Sequence, residues 1–159
     1  MTHPISRRTF LLTAGGVGTA VGLAATATAQ PTRGNAAAME AAIKKIVGAA
    51  QITAGKVKLD LPPLSENGNT VPLSVSVESP MTAEDHVKAI HLFTERNPQP
   101  DVASFFLGPR SGRASVSTRI RLADTQKVIA IAEMSDGTFW SDTQEVIVTL
   151  AACLEDPTI

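Results

Sequence analysis

The chain has 159 residues, 14 Lys and Arg against 15 Asp and Glu, 43% hydrophobic side chains, 4% aromatics, no tyrosine and one cysteine. This near-neutral balance excludes the basic footprint of a nucleic-acid binder or of a protein held electrostatically on an anionic membrane. One thiol excludes an internal disulfide framework, and the length suits a single hydrophobic core.

Residues 1–29 read as an export signal. Ser6-Arg7-Arg8-Thr9-Phe10-Leu11 is a twin-arginine motif, the apolar stretch from Leu11 to Ala25 follows, and Ala27-Thr28-Ala29 offers a cleavage site before Gln30. A membrane anchor is the alternative, but the stretch is short, rich in Gly, Ala and Thr, and ends in small residues. The expected address is therefore the periplasm, as a soluble protein. Twin-arginine export carries folded cargo, which goes with a cofactor or a partner subunit acquired before export. No cofactor motif follows, so no cofactor is expected and a partner is the better account. Without Arg7 and Arg8, about 130 residues remain, with twelve basic side chains against fifteen acidic ones.

Residues 30–55 are expected to form a helix and a linker. Asn35 is placed to cap a helix over 35–47, and Met39, Ala42, Ile43, Ile46 and Val47 recur on one face at a 3.6-residue period. Glu40 and Lys44 pair at i,i+4, Gly48 supplies the stop, and 49–56 reads as linker.

From there to residue 150 the period is two. Val57, Leu59 and Leu61 alternate with Lys56, Lys58 and Asp60, and Val71, Leu73, Val75 and Val77 with Ser74, Ser76 and Glu78. Further runs fall at 86–93, 101–107, 113–122, 127–134 and 143–150. Breaks such as Pro62-Pro63, Asn67-Gly68-Asn69, Asn97-Pro98 and Asp136-Gly137 separate them. About seven short strands at this spacing predict an all-β, immunoglobulin-like β-sandwich preceded by the N-terminal helix. Its core must hold by apolar burial alone. Two runs, Lys127–Glu133 and Ala103–Leu107, are apolar on both faces, so each is central or covered from outside. A second subunit and the N-terminal helix are both open as that cover.

The tail 151–159, Ala-Ala-Cys-Leu-Glu-Asp-Pro-Thr-Ile, reads as a C-terminal arm bearing the lone Cys153. An exported chain pairs its cysteines or has a use for the odd one, and a thiol beyond the last strand is a handle rather than a packing residue.

Other candidates are weaker. His86 and His91 are five residues apart, on opposite faces of a straight strand and without a third ligand, so no metal is expected. His91, on the face of Val87, Ala89 and Phe93, reads as a core histidine. Arg110, Arg113, Arg119 and Arg121 form either a basic stripe for an anion or, more simply, a solvated face. Met81 and Met134 could bind copper with His86, although isolated methionines more often fill cores. No nucleophile–base arrangement or phosphate loop is present, and no enzyme is expected.

Several strings carry a family resemblance. Gly55-Lys56-Val57-Lys58-Leu59-Asp60-Leu61-Pro62, Ser65-Glu66-Asn67-Gly68-Asn69-Thr70-Val71-Pro72, Ser79-Pro80-Met81-Thr82, Asn97-Pro98-Gln99-Pro100 and Ala130-Ile131-Ala132-Glu133-Met134-Ser135-Asp136-Gly137 occur in order along the mature chain. With them the chain resembles the SoxY family, the Y subunits of the bacterial thiosulfate-oxidising Sox system. The resemblance implies an immunoglobulin-like body that pairs with a Z-type subunit in a SoxYZ complex. It also implies a covalent substrate carrier with Cys153 as the attachment point. A Sox haem enzyme would join thiosulfate to the thiol, a sulfohydrolase would release sulfate, and a sulfane dehydrogenase would oxidise the remaining sulfur.

The tail departs from the family's G-G-C-G-G ending. Ala151, Ala152, Leu154 and Glu155 replace the glycines and four residues follow. Alanine restricts the backbone, and Glu155 and Asp156 disfavour thiolate and repel an anionic substrate. A divergent interaction module that pairs with a Z-type subunit but carries no sulfur therefore stands as the alternative function.

Overall fold

A computed structural model describes residues 36–152. The twin-arginine segment, the predicted cap Asn35, and Cys153 with the tail beyond it lie outside the described residues. The first element is α1 (Ala36–Val47), an alanine-rich segment with Lys44 and Lys45 in its last turn, where they complement the helix dipole. Gly48, at φ 64°, ends it by donating its N–H to the Lys44 carbonyl at 2.8 Å.

Nine strands follow among the described residues: β1 (Ile52–Ala54), β2 (Val57–Asp60), β3 (Leu64–Ser65), β4 (Val71–Val77), β5 (Val87–Thr94), β6 (Asp101–Phe106), β7 (Ser115–Ile120), β8 (Gln126–Met134) and β9 (Phe139–Val148). The larger sheet runs β1-β9-β8-β5-β6, with β3 also on β9, and the smaller runs β2-β4-β7. The all-β sandwich with an N-terminal helix is thus the fold. Two strands exceed the seven read from the sequence. β1 and β3, three and two residues long, are too short to show alternation, and both pair in parallel with the distant β9. The last strand also begins earlier than expected, at Phe139, because Ser141 and Asp142 interrupt its apolar pattern.

The main core lies between the sheets. Leu59, Val71, Val75, Ile90, Leu92, Leu122, Val128, Ala130 and Val146 are each at most 1% exposed there. The strands of the small sheet alternate strictly, as in the buried–exposed pattern of Val57–Asp60, since one face meets water. Pro72 is tolerated in the central strand β4 because β2 stops pairing at Asp60↔Ser74, before it reaches Pro72. At the seam between the sheets the Leu59 N–H donates to Asp142 Oδ2 at 2.8 Å. Gln144 Nε2 donates to the Leu59 carbonyl at 2.6 Å, so β9 side chains satisfy the backbone of β2.

A second cluster answers the question of the two-faced strand β8. Ile131 turns away from the inter-sheet core and packs with Phe93, Phe139, Met39 and Val47, with Ala42, Ile43 and Ile46 around them. The cover is the helix. Strand β6 behaves differently. It is an edge strand, and while Phe105 packs against the core, Phe106 is 80% exposed.

Candidate functional site

The site is built where β9 runs out toward Cys153. Beyond Val148 the chain does not leave the body at once. The segment 63–68 runs beside it: Ile147 donates to the Pro63 carbonyl at 2.9 Å, Thr149 to Ser65 at 3.1 Å, and Gly68 in turn to the Leu150 carbonyl at 2.8 Å. The Leu122 N–H donates to the Gly68 carbonyl at 2.8 Å, and the Ala152 N–H to the Leu122 carbonyl at 3.0 Å. Ala152 is 2% exposed. The backbone is therefore held through residue 152, and Cys153 is the first residue beyond the last of these bonds.

Gly68 is the centre of this arrangement. A β-carbon there would lie 2.5 Å from the Leu122 carbonyl oxygen and 2.9 Å from both the Ala152 nitrogen and the Leu150 oxygen. All three are backbone atoms that cannot swing aside. The turn that delivers Gly68 is made locally. Asn67 Oδ1 accepts the Asn69 N–H at 2.9 Å, and Ser65 Oγ donates to the Asn67 carbonyl at 3.0 Å.

A polar platform fixes Leu122 from the other side. Asn97 Nδ2 donates to the Arg121 carbonyl at 2.8 Å, and Asn97 Oδ1 accepts from the Ala123 N–H at 3.0 Å and from Gln126 Nε2 at 2.9 Å. Gln126, 2% exposed, accepts the Arg96 N–H at 2.7 Å. Asn97 opens the Asn97-Pro98-Gln99-Pro100 string, whose structural work is thus to brace the strand end that receives Ala152. Replacing Gln126 with alanine strands the Arg96 N–H and is expected to lower unfolding stability by ~1–3 kcal/mol, read by urea denaturation.

The two histidines among the described residues, His86 and His91, have different surroundings. His86 joins a loop contact in which its N–H donates to Ser135 Oγ at 3.1 Å and its carbonyl accepts the Ser135 N–H at 2.8 Å. His91 is buried, its Nδ1 2.8 Å from Ser104 Oγ and its ring edge-on to Phe106 at 6.3 Å. It does not share a face with Val87 as the alternation suggested. A register shift between Val87 and Ala89 turns Val87 into the inter-sheet core. Among the described residues no group of three or more His, Cys, Asp or Glu could hold a metal.

Burial lowers the His91 pKa below its ordinary value of 6.5, opposed by the charge of Glu133. The folded state thus favours neutral imidazole, and the stability this residue carries is present above ~pH 6.5 and is lost as pH falls toward the lower folded value. His91→Gln is expected to flatten the fall in thermal midpoint between ~pH 7.5 and ~pH 5. A wild-type slope in the variant would remove His91 from the acid response.

Arg110, Arg113, Arg119 and Arg121 are all exposed. Arg119, opposite Pro72 in register, lines a shallow recess of about 460 Å³ with Ser74 and Ser117 on the outer face of the small sheet. Met81 and Met134, 6% and 2% exposed, pack in the inter-sheet core. The sequence reading missed Gly68 and Gln126 as parts of the site. The Asn67-Gly68-Asn69 turn marked the first only as a bend, and nothing local marked the second.

Comparison with known proteins adds the family. The family described as sulfur oxidation protein SoxY matches residues 43–153, so the matched stretch closes on Cys153. Comparison with curated proteins finds no match. The sulfur carrier protein SoxY from Chlorobium limicola f thiosulfatophilum is similar at 30% identity and TM-score 0.61, over 73% of this chain and 100% of that one. A superoxide reductase (neelaredoxin) from Ignicoccus hospitalis is 18% identical, with TM-score 0.53, over 59% of this chain and 80% of its own. The superoxide reductase from Nanoarchaeum equitans is 13% identical, with TM-score 0.51, over 60% of this chain and 100% of its own. These last two share the fold alone. The match over residues 43–153, with the likeness to the Chlorobium carrier, shows that the chain belongs to the SoxY family of sulfur oxidation proteins.

Proposed function

We propose that this protein is a periplasmic covalent sulfur carrier, exported through its twin-arginine segment, that holds intermediates of thiosulfate oxidation on Cys153 within a complex with a Z-type subunit. The observation that carries the reading is the position of the lone thiol. It follows directly on Ala152, which the backbone bonds anchor, at the end of the SoxY match. The chain contributes no catalysis in this reading; enzymes of the Sox system act on the sulfur it presents.

The chemistry balances as follows. The Cys153 thiolate and thiosulfate, S₂O₃²⁻, form a sulfur–sulfur bond, giving Cys–S–S–SO₃⁻ and two electrons that pass to the haem enzyme. Water then cleaves the terminal sulfonate as sulfate with release of two protons, leaving Cys–S–S⁻ for a further oxidation by the sulfane dehydrogenase. The protein's part is to supply a nucleophilic sulfur at a fixed point, free of a second cysteine that would close a disulfide and expel the cargo.

The test is mass spectrometry of the mature protein after incubation with thiosulfate and the haem enzyme. A thiosulfonate adduct on Cys153, absent from Cys153→Ser, is expected. The acidic pair Glu155-Asp156 beside the thiol favours a second reading, an interaction module that keeps the Z-type partner and has lost the cargo. An unmodified Cys153 in a protein that still co-purifies with the Z-type subunit would establish that reading instead.

A further inference from the structure

Strand β5 sets a histidine at the contact between helix and sheet. α1 lies over β5 and β6, and His91 joins those two strands through the 2.8 Å contact of its Nδ1 with Ser104 Oγ. Two neighbours share its face: Phe93, two residues on, and Ile131, opposite in the β5–β8 register. Both pack with Met39 and Val47 of the helix. His91 is 4% exposed, and its Nε2 is buried without a hydrogen-bond partner. A neutral imidazole leaves one polar atom unsatisfied there. A proton on the ring adds a buried charge with no acceptor, which costs far more.

The surrounding elements offer no acceptor to take that proton. Glu133 of β8, the carboxylate that acts on the ring, is already ion-paired with Lys88 of β5. From β6 come the Ser104 hydroxyl, engaged at Nδ1, and the exposed Asp101, which stands opposite Phe93. α1 turns Met39, Ala42, Ile43, Ile46 and Val47 inward and leaves Glu40, Lys44 and Lys45 exposed. What holds the helix is apolar: the two ion pairs among the described residues, Lys88–Glu133 and Arg96–Asp124, both lie outside it. Its 12 residues are too few to persist as a helix alone in water, so leaving the sheet means unwinding.

We propose that His91 is an acid-operated latch: protonation at Nε2 releases α1 from the sheet while the sandwich stays folded. Release hydrates the ring, and it bares Phe93, Ile131 and Phe139 as an apolar face on β5, β8 and β9. A hydrated ring titrates near ~6.5, so release grows as pH falls below that value. One proton taken up between ~pH 7.5 and ~pH 5 multiplies the opening constant by at most roughly 30. The latch is independent of the carrier chemistry.

The test is hydrogen exchange of the full chain at ~pH 7.5 and ~pH 5, each amide referred to its intrinsic rate at that pH. Amides of 43–47 are expected to lose protection by about 10- to 30-fold at the lower pH, while those of 128–132 keep theirs. His91→Gln should abolish the change, and His86→Gln should preserve it. If His91→Gln does not fold, a nitroxide on Glu40→Cys in a Cys153→Ser background reads the release with His91 in place, as mobility that rises below ~pH 6.5. Equal protection or flat mobility across the two pH values would overturn the latch. So would an acid response kept in His91→Gln or lost in His86→Gln, or equal loosening of helix and β8.

Discussion

Replacing Gly68 with alanine is expected to release the end of the chain from the sandwich. The new methyl group would stand 2.5 Å from the Leu122 oxygen and 2.9 Å from the Ala152 nitrogen. Three backbone hydrogen bonds, Gly68 to Leu150, Leu122 to Gly68 and Ala152 to Leu122, pass through that point. Each contributes about 1 kcal/mol net, so their joint loss weakens the anchor by ~2–3 kcal/mol, a factor of roughly 30–150 in local opening. Hydrogen exchange at Gly68, Leu122 and Ala152 should accelerate by that factor, while amides in β5 and β8 keep their protection. A nitroxide attached to Cys153, the only cysteine in the chain, reports the same event as a gain in mobility. Unchanged exchange and an unchanged spectrum in Gly68→Ala would mean that the anchor does not hold the cysteine's root.

The distinction matters because the family ending G-G-C-G-G suggests freedom on both sides of the thiol. Here the two residues before the cysteine are alanines, and Ala152 is packed at 2% exposure. A glycine at 152 would remove the methyl group that fills this place and add backbone entropy to the loosened state. The alanines therefore fit a backbone that is anchored through residue 152.

The alternation of Val71–Val77 and the helical period of 36–47 were legible because each element has one face in water, which writes its geometry into the residue pattern. β1 and β3 left no such mark. Their three and two residues are held by β9, some 80 residues away, and no local pattern encodes a partner at that distance. The bulge in β5 was equally hidden. Val87–Thr94 is buried on both faces except at Lys88, so polarity could not reveal where the register slips. For the site, the lone cysteine was visible as a chemical singularity. Its support was not, since Gly68, Leu122 and Ala152 meet through backbone atoms, and side-chain type says little about those.

The largest loss of stability is expected from Phe93→Ala, at the contact between helix and sheet. Phe93 is 1% exposed on the outer side of β5, among Met39, Val47, Ile131 and Phe139. Truncating a buried phenylalanine costs ~3–5 kcal/mol through lost burial and the cavity left behind. Against a total of about 5–15 kcal/mol for a domain, this approaches the whole margin. A fall in thermal midpoint of ~10–20 °C should follow. The identity of the cover can be tested separately. If α1 is what Phe93 packs against, Met39→Ala and Phe93→Ala share one contact, and their combined effect should depart from the sum by ~0.5–3 kcal/mol. Strict additivity would uncouple helix from sheet and return the outer face of β8 to a second subunit. Coupling assigns the cover of that face to the helix.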